Sequence, residues 1–169
     1  MVNITGTGGH DGSESVVKMD RNIHRDSIRN VKDTFNSAIR AIDLKFEKGN
    51  FQKIWEINDH VKSDGDENSI WFWTSYFDFK DFDNDKLIAP IIVYGTNGMN
   101  GFDDGRIKFI IYYKGKKIAI RQQNGVLDDE RKTEIDNSFY SLPQKLKDNI
   151  KAKMALMEKQ GKAIFTATW

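Results

Sequence analysis

Asp81-Phe82-Asp83-Asn84-Asp85 is the stretch of this chain whose spacing suits a metal ion. Alternate carboxylates in a loop converge on a hard cation such as calcium, as they do in the first half of an EF-hand loop. Two positions depart from that pattern. Lys86 stands where the tight turn calls for Gly, and Ile92 stands where a bidentate Glu completes the shell. The competing reading is a polar turn, in which Asp side chains accept hydrogen bonds from nearby backbone N–H groups before a strand opened by Pro90. Asp81, Asp83 and Asp85 are thus the candidate metal ligands, and calcium the candidate ion.

Other site chemistries find little support. The chain has no Cys, which removes thiol catalysis, Cys-ligated zinc and disulfides. His10, His24 and His60 each lack a second ligand at metal spacing. The Gly-rich stretch 5–15 is not a phosphate loop, because Asp-Gly-Ser-Glu follows where Lys-Ser/Thr belongs. Asp and Glu are plentiful, but a hydrolase needs two carboxylates held at a defined separation across a cleft, which a sequence alone does not show. A non-catalytic binding protein is the expectation, with a hydrolase of unrecognised carboxylate site as a further class.

Binding residues are sought in the two loops rich in Gly, Asn and Asp. In 96–105, Met99 and Phe102 are apolar residues outside any strand period. They are flanked by Asn97, Asn100, Asp103 and Asp104. That combination resembles a small contact anchor with a polar rim. The alternative for Phe102 is that it folds back as the plug of its own loop. In 63–69, Asp64, Asp66 and Glu67 form an acidic loop of the same kind. With 26 basic and 25 acidic residues the net charge is +1, so no global field recruits nucleic acid. No run of about 18 apolar residues is present, so membrane insertion is not expected.

The elements that must position these loops read as one α+β domain over 16–169, after a flexible Gly-rich segment at 1–15. Ile28, Val31, Phe35, Ala38, Ile39, Ile42 and Phe46 recur at helical spacing and predict an N-terminal helix, capped by Asp26 or Ser27 and ended by Gly49. Residues 51–61 fit helix or strand, and their β-branched and aromatic content favours strand. Ile70–Phe79 reads as one aromatic strand, with Trp71 and Trp73 toward the core, and Pro90–Tyr94 as a second. Ile107–Tyr113 and Lys116–Arg121 form a hairpin turning at Lys114-Gly115. Ser141-Leu-Pro-Gln144 predicts a capped helix start, with a stripe of Leu142, Leu146, Ile150, Met154 and Met157 and an end at Gly161. Residues 163–169 are β-prone. The predicted fold is an antiparallel sheet packed with an N-terminal and a C-terminal helix.

Several of these residues also line up with a known pattern. The order is Trp55-x-x-x-Asp59-x-Val61, Asp81-Phe-Asp83-Asn-Asp85, Pro90-Ile-Ile-Val-Tyr94, Asp103-Asp104-Gly105 and Tyr112-Tyr113-Lys-Gly-Lys-Lys-Ile-Ala119-Ile120-Arg121. It resembles a family of small exported bacterial proteins, related to surface polysaccharide biosynthesis, over about residues 51–125. Lys86 replaces the family's Gly after the acidic triplet, and its following Glu is missing in the Ala89-Pro90 region. The resemblance implies a bacterial envelope protein and assigns no catalytic residue. The expected location is periplasmic, with a signal peptide already removed ahead of Met1-Val2-Asn3. The cytosol is the alternative. The expected function is an inhibitor or immunity protein that binds a secreted antibacterial toxin. Calcium-dependent binding of glycan or peptidoglycan is the runner-up.

Overall fold

Two Lys-Gly pairs shape the chain's hairpins. Lys48, Gly49, Lys114 and Gly115 all have positive φ (51°, 81°, 47° and 74°). A two-residue type I′ turn needs that backbone at both central positions, and its twist lets the flanking strands pair directly. Around the first turn, β3 (Phe35–Glu47) pairs with β4 (Asn50–His60). Around the second, β8 (Arg106–Tyr113) pairs with β9 (Lys116–Gln123), as the sequence predicts.

The computed structural model describes residues 2–6, 15–24, 35–62 and 67–167. They fall into two units, Met1–Trp71 and Phe72–Trp169. In the first unit, β1 (Val2–Gly6), β2 (Ser15–His24), β3 and β4 form an antiparallel sheet in that order. Of the expected Gly-rich arm, 2–6 is therefore strand β1, and 7–14 lies outside the described residues.

The predicted N-terminal helix is corrected here: its 35–47 portion is strand β3, and 25–34 lies outside the described residues. The burial explains the error. Ile39, Ala41 and Asp43 alternate into the buried face, together with Trp55 and Ile57 of β4, which lie opposite Asp43 and Ala41. A helical stripe would have buried Phe35 and Phe46 as well, and both are exposed. Pairing on both edges of β3 satisfies its backbone and overrides the helical spacing that Ile39 shares with both patterns. Residues 51–61 are strand, as their composition favours. Still within this unit, the Asn36 N–H donates to Ser69 Oγ of β5 (Glu67–Phe72) at 2.9 Å.

In the second unit, β7 (Ala89–Gly98), β8, β9 and β10 (Lys132–Ile135) form an antiparallel sheet, and the short β6 (Asp78–Lys80) pairs with the start of β7. Ile91, Ile92 and Val93 are all fully buried, so β7 is covered on both faces, which is why it reads as an apolar run rather than an alternation. Helix α1 (Gln144–Lys159) buries the predicted Leu146, Ile150, Met154 and Met157. Its Lys153 reaches Asp78 of β6 at 2.8 Å, with both side chains nearly enclosed.

Three further expectations are corrected. The aromatic strand 70–79 is broken by a 3-10 turn at Thr74–Tyr76 between β5 and β6. Trp73 and Tyr76 are both buried and pack on each other. A continuous strand would put them on opposite faces, and the turn brings them to one side. Ser141 does not cap α1: it closes the 3-10 turn Asn137–Ser141, and Pro143 precedes the first helical residue with no side-chain cap bond. The pyrrolidine ring pushes Leu142 into extended backbone (ψ 154°), which shifts the helix start past it. Residues 163–167 form no strand. Thr166 instead exchanges N–H···Oγ bonds with Thr133 of β10.

Candidate functional site

The register of the second sheet decides which loops meet. Arg106, at the start of β8, pairs with Gln123, at the end of β9. The β7–β8 loop and the β9–β10 loop therefore leave the sheet at the same end. The turn 114–115 and the acidic loop 81–88, which leads into β7, lie at the other.

At the first end the β7–β8 loop is built from its own hydrogen bonds. Gly98 and Gly101 exchange backbone bonds at 2.8 and 3.1 Å, and Gly101 takes φ 69°, which suits glycine. The Asp104 carboxylate accepts from the Asn100 N–H at 2.7 Å and from Asn100 Nδ2 at 3.1 Å. Phe102 packs edge-on to Trp73, with ring centroids 5.5 Å apart, so it is the plug of the loop rather than a contact residue. Met99 is left at the tip, 81% exposed. Of the predicted binding residues, Met99, Asn100, Asp103 and Asp104 come together here, and Phe102 supports them from below. Glu67 belongs to the other unit, where its carboxylate accepts from the Lys62 N–H at 2.8 Å; Asp64 and Asp66 lie outside the described residues.

The neighbouring β9–β10 loop adds what the sequence reading missed. The Asn124 N–H donates to the Gly105 carbonyl at 2.9 Å and Asn124 Nδ2 to the Phe102 carbonyl at 2.8 Å, so the two loops are joined. Val126 (58% exposed) and Leu127 (59%) then stand in solvent. Arg131 braces them: Nε donates to the Gly125 carbonyl and Nη2 to the Val126 carbonyl, at 2.8 and 2.9 Å, and Nη1 meets Asp128. Asp103 on the first loop, and Asp128, Asp129 and Glu130 directly after Leu127 on the second, are all exposed, so both loops carry an acidic rim. The available signal was Val126-Leu127, an apolar pair set between Asn124-Gly125 and three acidic residues with no strand period.

At the opposite end, oxygens of Asp81, Asp83 and Asp85 lie within 4.8 Å of one another, a spacing that could hold a metal ion. Asp81 also makes the polar turn that was the alternative reading. Its carboxylate accepts from the N–H groups of Asp83, Asp85 and Lys86 at 3.2, 3.3 and 2.8 Å. Asp85 Oδ1 accepts from the Leu87 N–H at 2.9 Å. Two residues of the β8–β9 hairpin complete the cluster. The Tyr113 hydroxyl donates to Asp83 Oδ2 at 2.6 Å, and Lys114 Nζ lies 3.0 Å from Asp83 Oδ2 and 2.9 Å from Asp85 Oδ2. The Tyr113 hydrogen bond and then the Lys114 ammonium hold the Asp83 carboxyl down at about 2. The same contacts push the Lys114 ammonium up, Asp85 first, and the bond to Asp83 pushes the Tyr113 hydroxyl up. The sequence marks Lys114 as a turn residue, but only the strand register aims it at a loop some thirty residues earlier.

Neither protein-family models, nor curated proteins, nor solved structures give a match to this chain.

Proposed function

We propose that this is a non-catalytic binding protein that grips a protein partner with the tip formed by Met99, Val126 and Leu127. In its specific form it is an inhibitor or immunity protein of the bacterial periplasm, directed at a secreted antibacterial toxin. The observation that carries the reading is Met99, 81% exposed on a loop whose shape its own hydrogen bonds determine. A large apolar side chain held out in water on a pre-ordered loop loses little conformational entropy on binding and gains the burial of its surface. Methionine also adapts to an irregular pocket. The acidic rim favours a partner with basic groups around that pocket. The resemblance of residues 51–125 to exported envelope proteins supports the location.

The test is a photo-cross-linker at position 99, used in extracts of the source bacterium and of a competitor carrying the toxin locus. The captured protein is then purified, and its affinity is measured for wild type and for Met99→Ala. A specific toxin whose affinity falls roughly tenfold or more supports the reading, a change that matches about 1.4 kcal/mol or more of lost burial. Retention of the wild type on purified peptidoglycan, with no protein captured, would replace it. That outcome belongs to the second reading, calcium-dependent glycan binding, which rests on the spacing of Asp81, Asp83 and Asp85. It requires calcium to displace Lys114.

A further inference from the structure

The loop 81–86 has the shape of a metal loop and a cation supplied from elsewhere in the chain. Counting from Asp81, the fourth and sixth residues are Asn84 and Lys86, and both are left-handed (φ 62° and 68°). In EF-hand loops the sixth place is kept for Gly, because the chain turns sharply there. Here the chain makes a left-handed turn at that place with a Lys. Three of the four non-glycine residues with positive φ, among the described residues, are Asn84, Lys86 and Lys114. All three belong to this cluster.

Three carboxylates with oxygens inside 4.8 Å repel one another unless a positive charge sits among them. That charge comes from the β8–β9 turn. The Lys114 ammonium nitrogen lies at nearly equal distances, 3.0 and 2.9 Å, from Asp83 and Asp85, and 5.1 Å from the centre of the Tyr113 ring. Tyr113 fixes the other side of Asp83 by its hydroxyl. An ammonium bonded to both carboxylates and a divalent ion bonded to the same oxygens cannot be present together.

We propose that Lys114 is the resident cation of this loop, an internal substitute for a divalent ion that clamps the 81–86 loop to the β8–β9 turn without metal. The loop leads directly into β7, so the clamp also holds the entry to that strand. A divalent ion takes the place only when the lysine is gone. This inference does not rest on the binding role of Met99, which lies at the other end of the sheet.

Thermal unfolding of wild type and Lys114→Asn, each in EDTA and in about 5 mM calcium, tests it. Asn accepts left-handed backbone, so the turn keeps its shape; Lys114→Gly, at ease at the same φ, repeats the test if the Asn variant does not fold. The wild type should melt at the same temperature in both buffers. The variant should melt lower than wild type in EDTA and rise by about 4 °C or more in calcium. Adding Asp83→Asn to the variant should abolish the rise. A wild type that calcium stabilises as much as the variant overturns the proposal and favours the calcium-dependent reading. A variant that melts lower but ignores calcium also overturns it, because Lys114 is then an ordinary ion-pair partner. So does a variant as stable as wild type in EDTA.

Discussion

Gly105→Ala should destabilise the second unit by about 3 kcal/mol, although alanine suits the backbone there. Gly105 has φ −91° and ψ 172°, extended geometry open to any residue. The obstacle is space. A Cβ at this position would stand 2.2 Å from the Thr96 carbonyl oxygen and 2.9 Å from its carbonyl carbon. These are backbone atoms of β7 and cannot rotate aside, so β7 and the chain entering β8 must move apart by about an ångström. Overpacking of this kind costs roughly 1–3 kcal/mol. The movement also strains the bonds that tie β8 to β7 and to the end of β9 here. They are the Arg106 N–H to Thr96 Oγ1 at 2.9 Å, the Asn124 N–H to the Gly105 carbonyl at 2.9 Å, and Gln123 Nε2 to the same carbonyl at 3.2 Å. Loss of one adds about 1 kcal/mol. The assay is urea unfolding, with a lower midpoint and an unchanged slope expected. Gly101→Ala is the comparison. Its Cβ meets nothing within 4 Å, but φ is 69°, so it should cost only about 1–2 kcal/mol through backbone strain. A Gly105→Ala variant within about 0.5 kcal/mol of wild type, or more stable than Gly101→Ala, would refute the close approach of β7 and β8 at the base of the loop.

Lys153→Ala should cost about 2 kcal/mol in the same assay, because it leaves the enclosed Asp78 (side chain 11% exposed) with Lys80, at 2.9 Å, and the Asn149 amide, and without the enclosed one of its two cations. Burial pushes the Asp78 carboxyl up, and the bonds from Lys153 and Lys80 outweigh it and bring it below its usual range, so the variant should lose least at acid pH, where the carboxyl is neutral. Asp83 gives a second pH signature. Its carboxyl is lowered from 3.8 to about 2, so its stabilisation is complete above about pH 4 and fades as pH falls through 2. The difference in Tm between wild type and Asp83→Asn should therefore be present at about pH 6, much reduced at about pH 2 and gone by about pH 1, by melts across that range. Met154→Ala, at a fully enclosed position of α1, should cost about 3 kcal/mol in urea.

Legibility followed the range of the interactions. The β8–β9 hairpin was readable because Lys114-Gly115 acts locally on the turn, and α1 because Leu146, Ile150, Met154 and Met157 repeat at the helical period. The spacing of β3 points to a helix because its conformation is decided by pairing on both edges, with β2 as well as β4, which its own residues do not record. The aromatic segment 70–79 hid a turn because Trp73 and Tyr76 answer to burial on one side, which a period of two does not record. The sites divide in the same way. Met99 stood out by composition alone, and so did the acidic triplet. The loop of Val126 and Leu127 is tied to the loop of Met99 through the Asn124 bonds, and Lys114 joins the triplet only through the hairpin register, neither of which is local in the chain.

The affinity of the captured partner for wild type, Met99→Ala and Leu156→Ala is the most direct measurement. Leu156 is an exposed apolar residue on α1, outside the proposed tip, and serves as the control. About a tenfold or greater loss is expected for Met99→Ala, none for Leu156→Ala, and an unchanged Tm for the Met99 variant, since a side chain that exposed contributes little to folding. Equal affinity for all three proteins, or a loss in Met99→Ala that follows a lowered Tm, would contradict the claim that the Met99 tip is the binding surface.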